Sequence, residues 1–229
     1  MRRKRIFKIG ARSSPLALKQ IEEIIPLLKK VHPEFVFNLV RIDTAGDKDK
    51  VTPLEKLEGT DFFTREIEQA LLREKIDLAV HSAKDMPDVL PEGLEIAVIL
   101  KSIDPYDVLV SKGNLKLDEL PSGAKIGTSS LRRKIQLKSF RRDFQIVDIR
   151  GNIEERLSKL NESDLDAIVL AAAGLIRLSL EHRITQKLSF DILCPHSLQG
   201  CLAIEIRSSD TKMKSLISRL PRSCMQSEV

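Results

Sequence analysis

Short apolar segments rich in β-branched residues alternate with helical patterns along almost the whole chain of 229 residues. Strands are predicted at 5–10, 36–42, 76–81, 94–100, 107–111, 124–127, 145–149, 166–171 and 201–206, and helices at 14–31, 63–75, 130–140, 152–161, 172–181 and 210–219. Continuous apolar strands such as 166–171 are typical of parallel sheets that helices cover on both faces. The sequence therefore predicts an α/β fold.

Two turn-rich segments, 101–105 and 195–200, interrupt this alternation and are interpreted as hinges. They divide the chain into a first lobe of residues 1–100 with 201–229 and a second lobe of residues 106–194. A ligand is expected in the cleft between the lobes, at the carboxyl ends of the strands.

Composition narrows the class of partner. The net charge of +5 and the isoelectric point near 9.1 favour anionic partners. Aromatic residues make up only 4% and tryptophan is absent, which disfavours nucleic-acid binding. No apolar run approaches the length of a membrane span, and no apolar segment of a secretory signal follows the basic start. We expect a monomeric, cytoplasmic protein that binds small polyanions.

The three cysteines, Cys194, Cys201 and Cys224, are odd in number and lack the spacing of metal ligands. Neither a disulfide framework nor a metal site is predicted from them.

Arginines stand at three predicted junctions between a strand and a helix: Arg12, the pair Arg132-Arg133, and Arg150. A helix N-terminus carries a partial positive charge and free N–H donors, so it favours acidic neighbours. Cations there are explained by a bound anion that contacts both the helix end and the guanidinium groups. Solvated surface turns are the alternative at any one site, but three such sites favour an anion-binding protein.

Lys84 and Asp85 follow the predicted strand 76–81. A carboxylate at the end of a strand is well placed to stabilise a cation or transfer protons, and a neighbouring lysine can hold a carboxylate. A solvated polar loop is the alternative interpretation. His81 is predicted to be a hydrogen-bonded residue at the strand end.

Seven motifs follow one another along residues 5–210. They are Arg12-Ser13-Ser14-Pro15-Leu16-Ala17-Leu18, Thr44-Ala45-Gly46-Asp47, His81-Ser82-Ala83-Lys84-Asp85-Met86-Pro87, Gly127-Thr128-Ser129-Ser130-Leu131-Arg132-Arg133, Arg150-Gly151-Asn152, Ala171-Ala172-Ala173-Gly174-Leu175-Ile176-Arg177-Leu178 and Gln199-Gly200. Together they resemble the porphobilinogen deaminase family, also called hydroxymethylbilane synthases.

The resemblance implies a transferase of tetrapyrrole (haem) biosynthesis that condenses four porphobilinogen molecules into hydroxymethylbilane and releases ammonia. It also implies a dipyrromethane cofactor and a two-lobed fold like a type II periplasmic binding protein, with mixed, mainly parallel sheets. The alternative is a non-catalytic relative that binds porphobilinogen or similar polycarboxylates.

The resemblance also assigns roles to individual residues. Asp85 is the implied catalytic carboxylate. The implied cofactor-binding residues are Ser82, Lys84, Thr128, Ser129, Arg132 and Arg133. The implied substrate-binding residues are Arg12, Ser14, Phe63, Arg150, Arg156, Arg177 and Gln199.

The chain departs from the family pattern in two places. It contains no Gly-Gly-Cys, the sequence that tethers the cofactor in the family's third domain, so the resemblance predicts a form without that domain. Cys224 and Cys201 are the candidates for attachment, Cys194 is a weaker one, and a non-covalent cofactor is the other possibility. In addition, Asp61 lies in a loop where the family carries a lysine, and its charge is expected to weaken polycarboxylate binding.

Overall fold

The computed structural model describes residues 5–49 and 60–221. These residues form two compact units. Unit 1 contains residues 5–49, 60–102 and 201–221, and unit 2 contains residues 103–200. Each unit has a sheet of its own.

The sheet of unit 1 has five strands among the described residues. They are β1 (Ile6–Arg12), β2 (Val36–Ile42), β3 (Leu78–Ser82), β4 (Leu94–Ile99) and β10 (Leu202–Arg207). Their order is β2-β1-β3-β10-β4, in which β1 pairs in parallel with β2 and β3, and β10 is antiparallel to β3 and β4. Four strands therefore run in one direction and β10 runs against them.

The sheet of unit 2 repeats this arrangement. Its strands are β5 (Asp107–Ser111), β6 (Lys125–Gly127), β7 (Gln145–Val147), β8 (Ala167–Ala171) and β9 (Gln186–Lys187), in the order β7-β6-β8-β5-β9. Here β5 is the antiparallel strand. The prediction of mixed, mainly parallel sheets is confirmed for both units.

Helices cover the sheets. Unit 1 carries α1 (Pro15–Val31), α2 (Ala45–Lys48), α3 (Arg65–Leu72) and α7 (Thr211–Ile217), and unit 2 carries α4 (Leu131–Phe140), α5 (Ile153–Glu162) and α6 (Ala172–Arg177). Short 3₁₀ helices lie at Asp61–Phe63, Ala83–Asp85, Lys112–Asn114 and Glu181–Arg183. Throughout the described part of the chain, each helix is too short or too polar to cross a bilayer.

The predicted elements are largely confirmed, although many of their ends shift by a few residues, and three differences are larger. The helix predicted at 172–181 ends at Arg177, because Ser179 adopts a positive φ of 57° that a right-handed helix does not accommodate. The prediction missed α2 and β9, which span four and two residues. Such short elements carry no periodic pattern to detect.

The two faces of β10 differ in a way that shapes the site. Leu202, Ile204 and Ile206 belong to a core shared with α1 and α7. Ala203 and Glu205 alternate with them and therefore point to the opposite face, on which α3 packs. The buried carboxylate of Glu205 therefore lies on the α3 side of the sheet.

Candidate active site

In unit 1 the parallel strands β1 and β3 end at the same edge of the sheet. The chain leaves β3 through Ser82 into the 3₁₀ helix Ala83–Asp85, and Ala83 N donates to Cys201 O (3.0 Å) at the start of β10. This bond fixes the turn that carries Lys84 and Asp85, both of which are half-buried. Asp85 faces a concavity at this edge of the sheet. Its lining includes Arg12, Ser14, Phe63, His81 and Ser82.

Arg12, the last residue of β1, is held by a carboxylate and an aromatic ring. Its NH2 group lies 2.5 Å from Asp47 Oδ1, and its guanidinium carbon lies 4.7 Å from the centre of the Phe63 ring. Asp47 also accepts from the backbone and hydroxyl of Thr44 (3.1 and 2.8 Å). Burial raises the pKa of Asp47, but Arg12 and Thr44 outweigh burial and leave that pKa below its ordinary value. Arg12 thus enters the concavity in a fixed orientation.

Two serine hydroxyls of the site are engaged by α1. Ser14 is the N-cap of α1 and accepts from Ala17 N (3.3 Å), as the Ser-Pro sequence predicts. Ser82 Oγ accepts from Nε2 of Gln20 (2.8 Å), which is buried on the same helix. The helix therefore positions both serines at the edge of the sheet.

A buried polar cluster lies on the α3 side of this site. His81 Nε2 is 3.0 Å from Glu205 Oε2, and Glu205 is completely buried. Glu68 of α3 is also buried, and Oε1 of both glutamates has no hydrogen-bond partner among the described residues. Burial raises the pKa of Glu68, Thr64 lowers it in part, and the charge of Glu205 raises it further. His81 is therefore a hydrogen-bonded residue at the end of its strand, as predicted, and also lines the concavity.

The charge of Asp61 is neutralised within its own helical turn. Arg65 donates from Nε and NH2 to the two carboxylate oxygens of Asp61 (2.7 and 2.9 Å). This hydrogen bonding keeps the pKa of Asp61 low despite some burial. The sequence analysis did not consider this arginine four residues later, and the expected weakening of polycarboxylate binding by Asp61 stays a prediction.

In unit 2 the arginine pair converges on Asp107, the first residue of β5. Asp107 is completely buried and accepts from Arg133 Nε and NH2 (3.1 and 2.6 Å), Arg132 NH2 (2.6 Å) and Gln199 Nε2 (3.0 Å). Burial raises the pKa of Asp107, but Arg133 and Arg132 outweigh it and hold the pKa below its ordinary value. The carboxylate is therefore ionised at neutral pH.

The two arginines differ in access. Arg133 is buried and also donates from NH1 to Val169 O (3.0 Å). The side chain of Arg132 is 25% exposed and also donates from NH1 to Cys194 O. The sequence predicts an external anion beside these arginines, whereas the structure places a protein carboxylate there. Of the pair, Arg132 is the one that can reach a ligand.

Thr128 and Ser129 are buried between β6 and α4. Thr128 Oγ1 accepts from Ser130 N (3.3 Å), and Ser129 Oγ bonds both the N–H and the carbonyl of Ile149 (2.9 Å each). Both hydroxyls thus hold the backbone at the start of α4. In this structure they contact the protein itself, and their predicted role in cofactor binding stays a prediction.

The remaining arginines lie at element ends in unit 2. Arg150 precedes Gly151, whose φ of 110° and close approach to Glu155 exclude a side chain. Asn152 and Glu155 then form the predicted capping box of α5 (2.8 and 2.9 Å). Arg156 and Arg177 each donate to a backbone carbonyl, of Gly151 (2.8 Å) and Gly200 (3.0 Å). All three arginines are half-buried.

The described cysteines differ in exposure. Cys201 is buried and Cys194 is exposed, and neither forms a disulfide. Cys224 lies outside the described residues. The burial of Cys201 fits a small apolar side chain at the start of β10 better than an attachment point.

Sequence reasoning assigned no role to Asp107, Glu205 or Glu68. The signal for the first two was available, since each is a charged residue in a strand that otherwise reads as apolar. A buried charge requires a partner. Which partner it finds is set by the tertiary fold, because Arg133 and Gln199 are 26 and 92 residues from Asp107.

The architecture is similar to that of solved structures of low sequence identity. The regulatory domain of MexT, a transcriptional activator in Pseudomonas aeruginosa, has a TM-score of 0.54 at 14% identity, with 94% of this chain and 96% of that one covered. The probable amino-acid ABC transporter extracellular-binding protein ytmK from Bacillus subtilis has a TM-score of 0.53 at 13% identity, with 93% and 89% covered. These likenesses show the fold alone. It is the α/β fold of type II periplasmic binding proteins, as predicted.

Sequence comparison identifies the family. The family model described as "Porphobilinogen deaminase, dipyromethane cofactor binding domain" matches residues 7–215. The porphobilinogen deaminase of Bacillus subtilis is 49% identical over 216 residues, and that of Carboxydothermus hydrogenoformans is 46% identical over 209. These alignments cover 94% and 91% of this chain and 69% and 67% of the relatives. The chain belongs to the porphobilinogen deaminase family.

Proposed function

We propose that this protein condenses four porphobilinogen molecules head to tail with release of four molecules of ammonia, and that water then releases the chain as hydroxymethylbilane. The observation that carries the proposal is the position of Asp85 in unit 1. A carboxylate that follows β3 faces a concavity beside Arg12, in a chain that matches the family over residues 7–215. Porphobilinogen carries a pyrrole N–H and two carboxylates, and Asp85 and Arg12 are groups that can bind an N–H donor and a carboxylate.

Asp85 is the group that acts on the reacting centre. As the bond between the methylene carbon and the amino nitrogen breaks, ammonia leaves with the electron pair and positive charge spreads over the pyrrole. A carboxylate that accepts the pyrrole N–H stabilises this charge more in the transition state than in the substrate. The proton lost from the pyrrole carbon that forms the new bond balances the one taken up by ammonia. Asp85 is half-buried, which strengthens its electrostatic effect.

Cations bind the carboxylates of the substrate. Arg12 keeps a fixed direction because Asp47 and Phe63 hold it, and an orientation fixed in advance lowers the entropic cost of binding. Arginine suits this role because its planar group grips a carboxylate through two parallel hydrogen bonds. We further assign Ser14 and Phe63 in unit 1, and Arg150, Arg156, Arg177 and Gln199 in unit 2, to substrate binding.

The donor set also fits a dipyrromethane cofactor. Such a group carries carboxylates and pyrrole N–H groups, and unit 2 offers the surplus positive charge of the arginine pair with Arg132 at its exposed side. We assign Ser82 and Lys84 in unit 1, and Thr128, Ser129, Arg132 and Arg133 in unit 2, to cofactor binding, with Lys84 and Arg132 each holding a carboxylate. When bound, the cofactor supplies the pyrrole carbon to which the first substrate unit is joined.

The test compares Asp85→Asn with Asp88→Asn in the purified chain. Asp88 lies three residues further along the same segment and is exposed, so it is a matched control. We expect Asp85→Asn to lower the rate of ammonia release from porphobilinogen at least about a hundredfold. Asp88→Asn should stay near the wild-type rate, and both variants should unfold at the wild-type temperature. A near-normal rate in Asp85→Asn would refute the proposed role.

The cellular setting is proposed on sequence grounds. We propose a cytoplasmic monomer whose partners are small molecules and not nucleic acid or membranes, in keeping with the scattered arginines and low aromatic content. Sedimentation of the purified chain and its affinity for duplex DNA at several salt concentrations test both points.

A further inference from the structure

Asp107 collects contacts from three directions in unit 2. The arginine pair approaches from the first turn of α4, and Gln199 approaches from the segment that precedes Cys201. The same Nε2 atom of Gln199 also donates to Pro105 O (2.7 Å), in the segment that precedes β5. One completely buried carboxylate therefore joins the arginine pair to both of the segments in which the chain passes from one unit to the other.

The charges of this cluster do not cancel. Two guanidinium groups share one carboxylate, so one positive charge is left over. Arg133 is buried and donates through Nε, NH1 and NH2 to Asp107 and Val169 O. Arg132 is partly exposed, so an external anion gains most by approaching Arg132.

An anion on Arg132 competes with Asp107 for the same guanidinium group. Arg132 NH2 bonds Asp107 Oδ2, whereas Arg133 and Gln199 bond Oδ1. When an anion draws Arg132 away, Oδ2 of Asp107 loses its hydrogen-bond donor. The buried carboxylate then gains a new donor by turning toward Gln199 or Arg133. Because Gln199 also bonds Pro105 O, this adjustment reaches the neighbouring segment.

We propose that Asp107 is a positioning residue that couples anion binding at Arg132 to segments 103–106 and 195–200. The inference rests on the proposed function for the identity of the anion, a pyrrole carboxylate, but the coupling is a property of this cluster alone. Binding and segment geometry are linked in both directions, because a ligand shifts an equilibrium only through contacts that differ between its two states.

The chain offers a matched control in Asp104. Asp104 is also a buried carboxylate of unit 2 with a cationic partner, Lys187 (2.5 Å), and with Tyr106 N as a second donor (2.9 Å). Asp104→Asn removes the same charge close by but leaves Arg132, Arg133 and Gln199 in place. Asp107→Asn removes the link itself.

The first experiment needs no ligand. Amide hydrogen exchange is measured for a peptide covering 101–107. The effect of Arg132→Gln on this exchange is compared in three backgrounds: the wild-type chain, the Asp107→Asn variant and the Asp104→Asn variant. We expect Arg132→Gln to change the exchange rate about fivefold in the wild-type and Asp104→Asn backgrounds. It should have no effect in the Asp107→Asn background. Equal responses in all three backgrounds, or none in wild type, would overturn the inference.

The second experiment uses porphobilinogen at saturating concentration with the same peptides. We expect the ligand to change exchange at 101–107 in wild type and Asp104→Asn, but not in Asp107→Asn. If Asp107→Asn does not fold, Gln199→Met replaces it in the ligand-free experiment, because it cuts the same path and leaves the arginine pair intact. If the first experiment gives the expected result but the chain does not bind porphobilinogen, the proposed function is contradicted and the coupling is still supported.

Discussion

Asp107 and Glu68 are both buried carboxylates, but their surroundings shift their pKa values in opposite directions. Asp107 has two guanidinium groups and an amide as donors, and its pKa is lowered. Glu68 has the hydroxyl of Thr64 and the neighbouring acid Glu205, and its pKa is raised. An ionised carboxylate without a cation is costly in a buried site, so the fold favours the protonated form of Glu68.

This difference predicts how stability depends on pH. The folded protein binds the Glu68 proton more tightly than the unfolded chain. Its contribution to the free energy of unfolding is therefore complete below the ordinary glutamate pKa of 4.5 and is lost as the pH rises through the raised pKa. Glu68→Gln keeps the shape and stays neutral. We expect this variant to gain stability over wild type, on the order of 1 kcal/mol, as the pH rises from 4 to 7.

Urea unfolding at a series of pH values measures this difference. Glu22→Gln is the control, since Glu22 is an exposed residue of α1 that pairs only with Lys19 among the described contacts. The control should follow wild type at each pH to within about 0.5 kcal/mol. A parallel pH profile for Glu68→Gln and wild type would show that folding does not raise the pKa of Glu68.

At the scale of elements, the N-terminal cap of α5 sets the backbone on which Arg150 and Arg156 stand. Asn152 Oδ1 accepts from Glu155 N (2.8 Å), and Glu155 Oε2 accepts from Asn152 N (2.9 Å). Asn152→Ala removes half of this box and should lower the free energy of unfolding by about 1 kcal/mol. Asn161→Ala, in the last turn of the same helix and exposed, should change it by less than about 0.5 kcal/mol. Equal losses in the two variants would argue against a capping role.

The elements that sequence predicts well are those with a period or a cap. The start of α1 follows from Ser14-Pro15, and the start of α5 follows from Asn152 and Glu155. The strand β9 has only two residues and is defined by its pairing with β5, which no local pattern encodes. Local rules therefore place element ends, and tertiary pairing decides the rest.

The same limit applies to the candidate site. The sequence places arginines at three junctions, and the structure confirms that α1, α4 and α5 begin there. It does not show what neutralises them. Asp47 lies 35 residues from Arg12, and Asp107 lies 25 residues from Arg132. Long-range ion pairs of this kind depend on the sheet topology, so local sequence patterns do not predict them.

At the scale of the whole molecule, the two units share one strand order but carry different chemistry. Unit 1 places the acid Asp85 beside a single oriented arginine, and unit 2 places a surplus of arginines around a buried acid. The shared topology is that of a binding-protein fold, so function follows from the residues at the strand ends and not from the fold itself. The central claim is that these residues extend a pyrrole chain.

The most direct test is the intact mass of the purified chain before and after incubation with porphobilinogen, with ammonia measured in the same sample. The account predicts that ammonia is released and that hydroxymethylbilane forms, with pyrrole units added to the mass of any chain that carries the cofactor covalently. Peptide mapping would then identify the attachment residue. An unchanged mass without release of ammonia would contradict the account.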